Sequence, residues 1–263
     1  MRILFTAVML LFLFLPAAHA QDWAKARLDK SPRHLDWVKV KAENREIKCF
    51  IAYPQKKEKA ISVLVIHEIF GLSDWVRSVC DELAEQGYIA IAPDLLSGKP
   101  GEDSTKYDGN DSLRRAIVSL PKDEVTADLK AAADYVRHLP AANGKLAVAG
   151  FCWGGAESFR FAASGEPVRA ALVFYGTPAD ADAMKRINAP VYGFYAEDDA
   201  RVTATVEQTK TAMKAAQKTY EAKIYSGAGH GFMRTGESPE GKAEDKSARH
   251  EAWKRMISIL NKL

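Results

Sequence analysis

Cysteine is scarce in this sequence, and its scarcity argues against two classes of protein. Only 3 of the 263 residues are cysteines, namely Cys49, Cys80 and Cys152. So few cysteines cannot build the disulfide framework of a small secreted scaffold, and internal pairing leaves at least one of the three unpaired. The absence of a C-x-x-C pair argues against a redox protein. Cys49 and Cys80 are expected to be buried, and a disulfide between them is left open because geometry decides it.

A hydrophobic run long enough to cross a membrane is also missing. The longest apolar segment, residues 3–15, is shorter than the about 20 residues of a spanning helix. Arg2 precedes it and Ala18-His19-Ala20 follows it, which is the pattern of a secretory signal peptide. We therefore expect cleavage after Ala20 and export of the mature protein to the periplasm or the medium. An uncleaved anchor or a buried helix is the alternative.

Charge of one sign does not dominate either. The 37 basic and 34 acidic residues give a formal net charge of +3, and both signs are interspersed in segments such as GESPEGKAEDKSARHEAWKR. A nucleic-acid-binding protein normally has a basic patch. We therefore expect no nucleic-acid partner, and we expect the mature chain to be a monomer.

Strand and helix patterns alternate from residue 35 onward. HLDWVKVKA and EIKCFIAYP predict two opening strands, and six more are predicted by ISVLVIHE, YIAIAPDL, KLAVAG, RAALVFYG, APVYGFYAE and YEAKIYS. Helices are predicted at about 74–86, 121–139 and 243–260 and directly after residue 152, whereas 97–109 is predicted to be a loop. The alternation predicts one α/β domain over residues 21–263, with a mostly parallel sheet covered by helices on both faces.

One cysteine lies in a motif that presents nucleophiles. Gly150-Phe151-Cys152-Trp153-Gly154 lies between a predicted strand and a predicted helix, which is the G-x-S-x-G pattern with cysteine in the serine position. Larger residues at the two glycines would collide with the neighbouring strand and helix. The N-terminus of the helix favours a thiolate. The motif predicts that Cys152 is a nucleophile, and an inert cysteine in a glycine-rich turn is the alternative.

Two further residues complete the order nucleophile, acid, base. Asp199 follows a late strand and is preferred to Asp198 because its spacing to Val202 is typical of a hydrolase turn, although a helix cap is the alternative. His230 lies between two glycines beyond the last strand, where a tight loop can present a general base. The chain order Cys152, Asp199, His230 is that of an α/β-hydrolase triad.

The loop HEIFGL, which follows an earlier strand, supplies the opposite wall of the predicted site. Such a loop donates one backbone N–H to an oxyanion hole, and the residue after the nucleophile donates the other. The donors predicted here are the amides of Ile69 and Trp153. HEIFG does not continue to a second histidine, so an H-E-x-x-H zinc site is not predicted. His67 lies at the end of the strand and receives no role.

Five segments carry a resemblance to a known family. HEIFGL, PDL, GFCWGG, AEDDARV and GAGHGFMR follow one another over nearly all of the mature chain, and together they resemble the dienelactone hydrolase family. The resemblance implies an α/β-hydrolase fold, no cofactor, and hydrolysis of a lactone or carboxylic ester. It also implies that Cys152 is the nucleophile, His230 the base and Asp199 the acid that orients the base.

The resemblance implies roles for two more residues. Glu68 would hold the resting thiol and move when substrate binds, which helps to generate the thiolate. Arg234 would bind a substrate carboxylate with its bidentate fork. A turn cap and a surface residue are the respective alternatives. The arginine that known dienelactone hydrolases carry after PDL is absent, and PDLLSGKPGED offers Lys99 in its place.

The substrate therefore does not follow from the family. Two other functions stay open at this point. One is a general hydrolase of small esters or thioesters, and the other is a non-catalytic exported binding protein on a hydrolase fold.

Overall fold

The fold is built on one eight-stranded sheet. A computed structural model describes residues 21–43, 45–99, 103–107 and 109–263, and the predicted signal peptide at 1–20 lies outside the described residues. The strand order is β1-β2-β4-β3-β5-β6-β7-β8, in which β1, β2 and β4 pair antiparallel and all other pairs are parallel. The strands are β1 (His34–Lys41), β2 (Glu46–Tyr53), β3 (Ala60–Ile66), β4 (Ile89–Pro93), β5 (Ala142–Phe151), β6 (Ala170–Phe174), β7 (Val191–Ala196) and β8 (Tyr220–Tyr225).

Helices cover both faces of the sheet. Buried side chains of α1, α2 and α10 pack on one face, and those of α4, α5, α6 and α8 pack on the other. The helices are α1 (Asp22–Asp29), α2 (Asp74–Glu85), α3 (Gly109–Val118), α4 (Lys122–Arg137), α5 (Trp153–Ala162), α6 (Ala181–Lys185), α7 (Ala200–Thr203), α8 (Val206–Ala215), α9 (Phe232–Thr235) and α10 (Ala243–Leu260). None of the described helices combines the length and the apolar character that crossing a membrane requires.

The predicted α/β class and mostly parallel sheet are confirmed. All eight predicted strands are present, and so are the four predicted helices. The central strands are apolar throughout because both of their faces are covered, as in AISVLVI of β3, where six of seven residues are buried. The edge strand β1 buries only Val40 completely.

The predicted loop at 97–109 contains more structure than expected. Residues Ser104–Lys106 form a 3₁₀ helix, and α3 begins at the end of this stretch. Residues 100–102 and 108 lie outside the described residues. Leu113 and Ile117, one turn apart on α3, pack with Leu96, and this small cluster also contacts the Trp153 side chain. The segment after β4 therefore folds back over the end of the sheet that carries residue 153.

Two cysteines are structural. Cys49 in β2 and Cys80 in α2 are fully buried free thiols, so the disulfide that the sequence left open is not formed. Burial raises the pKa of both thiols far above the ordinary value. Both are packing residues of the hydrophobic core, as predicted.

Candidate active site

The parallel strands bring the predicted site residues to one edge of the sheet. β3, β5, β7 and β8 run in the same direction, so their carboxyl ends lie side by side. Glu68 follows β3, Cys152 follows β5, Asp199 follows β7, and His230 follows β8. Ligands of open α/β sheets bind at this edge, outside the carboxyl ends of the strands.

Cys152 occupies a strained turn between β5 and α5. Its φ is 57° and its ψ is −116°, a backbone conformation that residues other than glycine seldom adopt. The backbone N–H of Cys152 donates to Phe174 O at 3.0 Å. A Cβ at Gly150 would lie 1.8 Å from Gly154 O, and a Cβ at Gly154 would lie 2.4 Å from His67 O. Both glycines of the motif are thus required for this turn to form.

The thiol, the imidazole and the carboxylate form a hydrogen-bonded row. His230 Nε2 lies 3.1 Å from Cys152 Sγ, and His230 Nδ1 lies 2.5 Å from Asp199 Oδ2. Since a carboxylate only accepts, Nδ1 donates, and in the neutral ring Nε2 then faces the thiol with its lone pair. Asp199 stands at the N-cap of α7 but makes no capping hydrogen bond. The competing acid Asp198 is exposed and pairs with Lys242.

The loop that carries His230 is held by α10, which sequence reasoning did not identify. Asp245, a buried residue in the first turn of α10, accepts from the Gly229 N–H at 2.8 Å and from Thr235 Oγ1 at 2.6 Å. Lys242 Nζ donates to Gly227 O at 2.7 Å. The loop is therefore anchored to the first turn of α10 and to Lys242, the residue that directly precedes this helix. No local sequence pattern marks Asp245, because its partners belong to another element.

The predicted oxyanion donors lie at the thiol. The backbone N–H groups of Ile69 and Trp153 act on the Cys152 thiol and lower its pKa. Burial and the charge of Glu68 act in the opposite direction and prevail, so the pKa of Cys152 rises to about 11. The Trp153 amide at the helix N-terminus favours the thiolate, in the direction expected, but desolvation and the charge of Glu68 outweigh it.

Glu68 contacts an arginine instead of the thiol. Glu68 is 2% exposed, and Glu68 Oε2 accepts from Arg234 Nε at 2.8 Å. The Arg234 guanidinium also lies over the Phe70 ring, 5.0 Å from its centroid. Burial raises the pKa of Glu68, while the charges of Arg234 and His230 lower it. The family resemblance placed Glu68 on the resting thiol, but the described structure pairs it with Arg234, the residue that the same resemblance expects to bind a substrate carboxylate.

Lys99 does not take the place of the missing arginine. Its ammonium forms an ion pair with Glu124, which also pairs with Arg45. Arg45 pairs in turn with Asp128. The charge of Lys99 is thus neutralised in a cluster beside α4, and it is not free for a substrate.

Tyr175, which the sequence analysis missed, completes the wall of the site. It follows β6, is 1% exposed, and its φ of 39° is rare for an aromatic residue. Its ring meets the His230 ring edge-on with the centroids 5.0 Å apart. Within the described part of the chain its hydroxyl has no hydrogen-bond partner. The sequence does not predict the positive φ of Tyr175, because an aromatic residue before a glycine is also typical of the ordinary end of a strand.

No group of three or more histidine, cysteine, aspartate or glutamate side chains among the described residues is arranged to hold a metal ion. The groups that converge at the site are instead a thiol, an imidazole, a carboxylate and two backbone N–H groups. These are the elements of acyl transfer.

The fold and the arrangement at the strand ends define the class as an α/β-hydrolase. The model of the dienelactone hydrolase family matches residues 47–263, and the chain belongs to this family of hydrolases.

Relatives and solved structures agree with this assignment. A protein of Methylorubrum extorquens named as a carboxymethylenebutenolidase is 31% identical over 231 residues, covering 83% of this chain and 78% of the relative. A protein of Salmonella typhi with the same name is 30% identical over 239 residues, covering 83% of each. The crystal structure of a protein from Klebsiella pneumoniae named as a dienelactone hydrolase is 27% identical, has a TM-score of 0.78, and covers 88% of this chain and 99% of the other.

Proposed function

We propose that Cys152, His230 and Asp199 act as a catalytic triad that hydrolyses a lactone or carboxylic ester. The observation that carries the proposal is the continuous row from Cys152 Sγ through the imidazole to Asp199, with distances of 3.1 and 2.5 Å. The amides of Ile69 and Trp153 lie at the same sulfur. The likeness to proteins named as carboxymethylenebutenolidases supports lactones as one substrate class.

The reaction begins with a proton transfer. His230 Nε2 takes the thiol proton as Cys152 Sγ attacks the carbonyl carbon, so a C–S bond forms and the carbonyl electrons move to oxygen. The amides of Ile69 and Trp153 stabilise this oxyanion. The tetrahedral intermediate collapses, the ester C–O bond breaks, and His230 returns the proton to the leaving oxygen. For a lactone, that oxygen stays attached to the acyl group.

Water completes the cycle. His230 takes a proton from a water molecule, and the resulting hydroxide attacks the thioester carbonyl. The C–S bond then breaks to release the acid, and the imidazolium returns its proton to the sulfur, which restores the thiol and the neutral histidine. Asp199 stabilises the imidazolium that forms in each half of the reaction. The high pKa of the resting thiol means that the proton transfer to His230 has to accompany the attack.

In this proposal, Glu68 and Arg234 make the activation of Cys152 depend on whether the substrate carries a carboxylate. A substrate carboxylate competes with Glu68 for the Arg234 guanidinium, because both carboxylates accept hydrogen bonds from the same N–H groups. Once released, the Glu68 carboxylate is free to turn toward the thiol and to assist the transfer of its proton to His230. Neutral esters lack this competition and leave the Glu68–Arg234 ion pair in place.

Replacing the nucleophile tests the proposal. Cys152→Ala is expected to abolish hydrolysis of p-nitrophenyl acetate and of a panel of lactones without lowering the melting temperature. Cys49→Ala, which removes another buried thiol, serves as the matched control and is expected to stay active. Full activity of Cys152→Ala would overturn the triad. Turnover of thioesters alone would favour a thioesterase instead.

Export is a separate part of the proposal and rests on residues 1–20. The basic residue, the apolar run and Ala18-His19-Ala20 are the supporting pattern. Expression of the full chain in a bacterium, followed by fractionation and N-terminal sequencing, is expected to give a periplasmic or secreted protein that begins at Gln21. A cytoplasmic protein that retains residues 1–20 would contradict it.

A further inference from the structure

A histidine that the sequence analysis set aside lies behind the predicted oxyanion hole. His67 is 0% exposed at the end of β3. Its ring stacks on the Trp153 ring with a centroid distance of 5.6 Å and an interplanar angle of 17°. Its Nδ1 lies 2.8 Å from Glu68 O. One side chain thus touches both segments that supply amides to the thiol.

The contact to Glu68 O bears directly on one of these amides. Glu68 C=O and Ile69 N–H belong to the same planar peptide group, so fixing the carbonyl fixes the direction of the N–H. The same carbonyl also accepts from the Gly71 N–H at 3.1 Å. Two donors on the oxygen polarise the peptide and strengthen the N–H as a donor.

The tautomer of His67 follows from its partner. A carbonyl oxygen only accepts hydrogen bonds, so Nδ1 carries the proton and, in the neutral ring, Nε2 keeps a lone pair. Burial lowers the pKa of His67, although the charge of Asp94 raises it, which favours the neutral ring. Nε2 is buried without a hydrogen-bond partner in the described part of the chain. Such an unpaired polar atom is rare in a folded protein and calls for an explanation.

We propose that His67 is a positioning residue of the oxyanion hole: its Nδ1–H holds and polarises the Glu68–Ile69 peptide, and its ring supports Trp153. This inference rests on the proposed function, since it assigns a role within that same site. His67 does not reach the reacting atoms itself. It acts on them through the amide of Ile69.

Two variants of nearly equal shape isolate the hydrogen bond. His67→Asn places an amide nitrogen on Cγ, where histidine has Nδ1, and so keeps the donor. His67→Leu has a similar branched shape but no donor. Both lose the ring against Trp153, so the difference between them reports the hydrogen bond alone. If His67→Leu does not fold, His67→Phe replaces it. This variant keeps a ring against Trp153 and lacks the donor, so its difference from the wild-type protein reports the hydrogen bond to Glu68 O.

The readout is a ratio of two rates at the same thiol. Acylation by p-nitrophenyl acetate passes through an oxyanion, whereas alkylation by iodoacetamide does not, and both are attacks by the same sulfur beside the same imidazole. A change in the reactivity of the sulfur affects both rates, so their ratio reports oxyanion stabilisation. We expect His67→Leu and His67→Phe to lower this ratio by about 10- to 100-fold, less than the about 100- to 1,000-fold lost when an oxyanion donor is removed outright, because the Ile69 amide itself is kept. His67→Asn is expected to stay within about threefold of the wild-type ratio.

Two results would overturn the role of His67. One is an unchanged ratio in His67→Leu or His67→Phe, which means that the amide needs no support. The other is an equal loss in His67→Asn and His67→Leu, which assigns the effect to the ring or to packing. Failure of the proposed function is distinguishable, because then Cys152→Ala itself retains hydrolysis.

Discussion

Glu68→Gln changes the electrostatic surroundings of the thiol while preserving most of its contacts. The carboxylate of Glu68 is buried, and its charge is the second-largest cause, after burial, of the raised pKa of Cys152. A glutamine has nearly the same shape, and its amide oxygen can still accept from Arg234 Nε. We expect the variant to have a lower thiol pKa and a more reactive resting thiol.

The size of the effect follows from the pKa of the thiol. The pKa of Cys152 rises from its ordinary value of 9.0 to about 11. If the Glu68 charge accounts for about one unit of this rise, the thiolate fraction at pH 7.5 increases from about 3 in 10,000 to about 3 in 1,000. Arg234, whose charge is no longer balanced by Glu68, acts in the same direction. Alkylation is therefore expected to be about tenfold faster at a fixed pH.

The assay is the rate of iodoacetamide alkylation followed by mass spectrometry between pH 7 and 10. Because the thiolate is the reacting form, the logarithm of the rate should rise with pH, and the curve of the variant should lie about one unit lower in pH. Glu240→Gln, which removes a surface carboxylate, is the matched control, and Cys152→Ala gives the background. An unchanged or slower alkylation of Glu68→Gln would refute the reasoning, because the Glu68 charge would then not act on the resting thiol.

Two further substitutions probe the row of side chains and the turn. Asp199→Asn is expected to lower kcat at least about 100-fold, since an amide cannot stabilise the imidazolium of His230, whereas Asp198→Asn at the exposed neighbour should leave kcat nearly unchanged. Equal kcat values in the two variants would count against Asp199. Gly154→Ala is expected to prevent folding or to lower the melting temperature strongly, because its Cβ would lie 2.4 Å from backbone oxygens. A Cβ at Gly229 would have its nearest neighbour at 3.8 Å, so Gly229→Ala should melt like the wild-type protein. Equal melting temperatures for Gly154→Ala and Gly229→Ala would contradict the predicted clash at Gly154.

The sheet was predictable because burial on both faces leaves a continuous apolar run. ISVLVIHE and KLAVAG predict strands by composition alone, and β3 and β5 occupy these segments. The short helices α6, α7 and α9 span only four or five residues, which is too short for a helical repeat to stand out. The ten-residue α3 was missed because it directly follows a glycine-rich polar stretch.

The positions of the site residues were predictable to the extent that each follows a strand. Parallel strands gather their carboxyl ends, so chain order alone placed Cys152, Asp199 and His230 near one another. The pairing of individual side chains was not predictable. Glu68 and Arg234 are 166 residues apart, and nothing local decides whether the carboxylate contacts the thiol or the guanidinium. The pKa of the thiol depends on desolvation, which only the packed structure determines.

The protonated state of Cys152 has a consequence for how readily the thiol is oxidised. Peroxides and disulfides react with thiolates, and oxidation beyond the sulfenic acid stage is generally irreversible. A thiol with a pKa of about 11 is almost entirely protonated at neutral pH, so it offers these oxidants little to attack. The two other cysteines, Cys49 and Cys80, are buried in the hydrophobic core. The same burial that raises the pKa of the Cys152 thiol thereby protects it against oxidation.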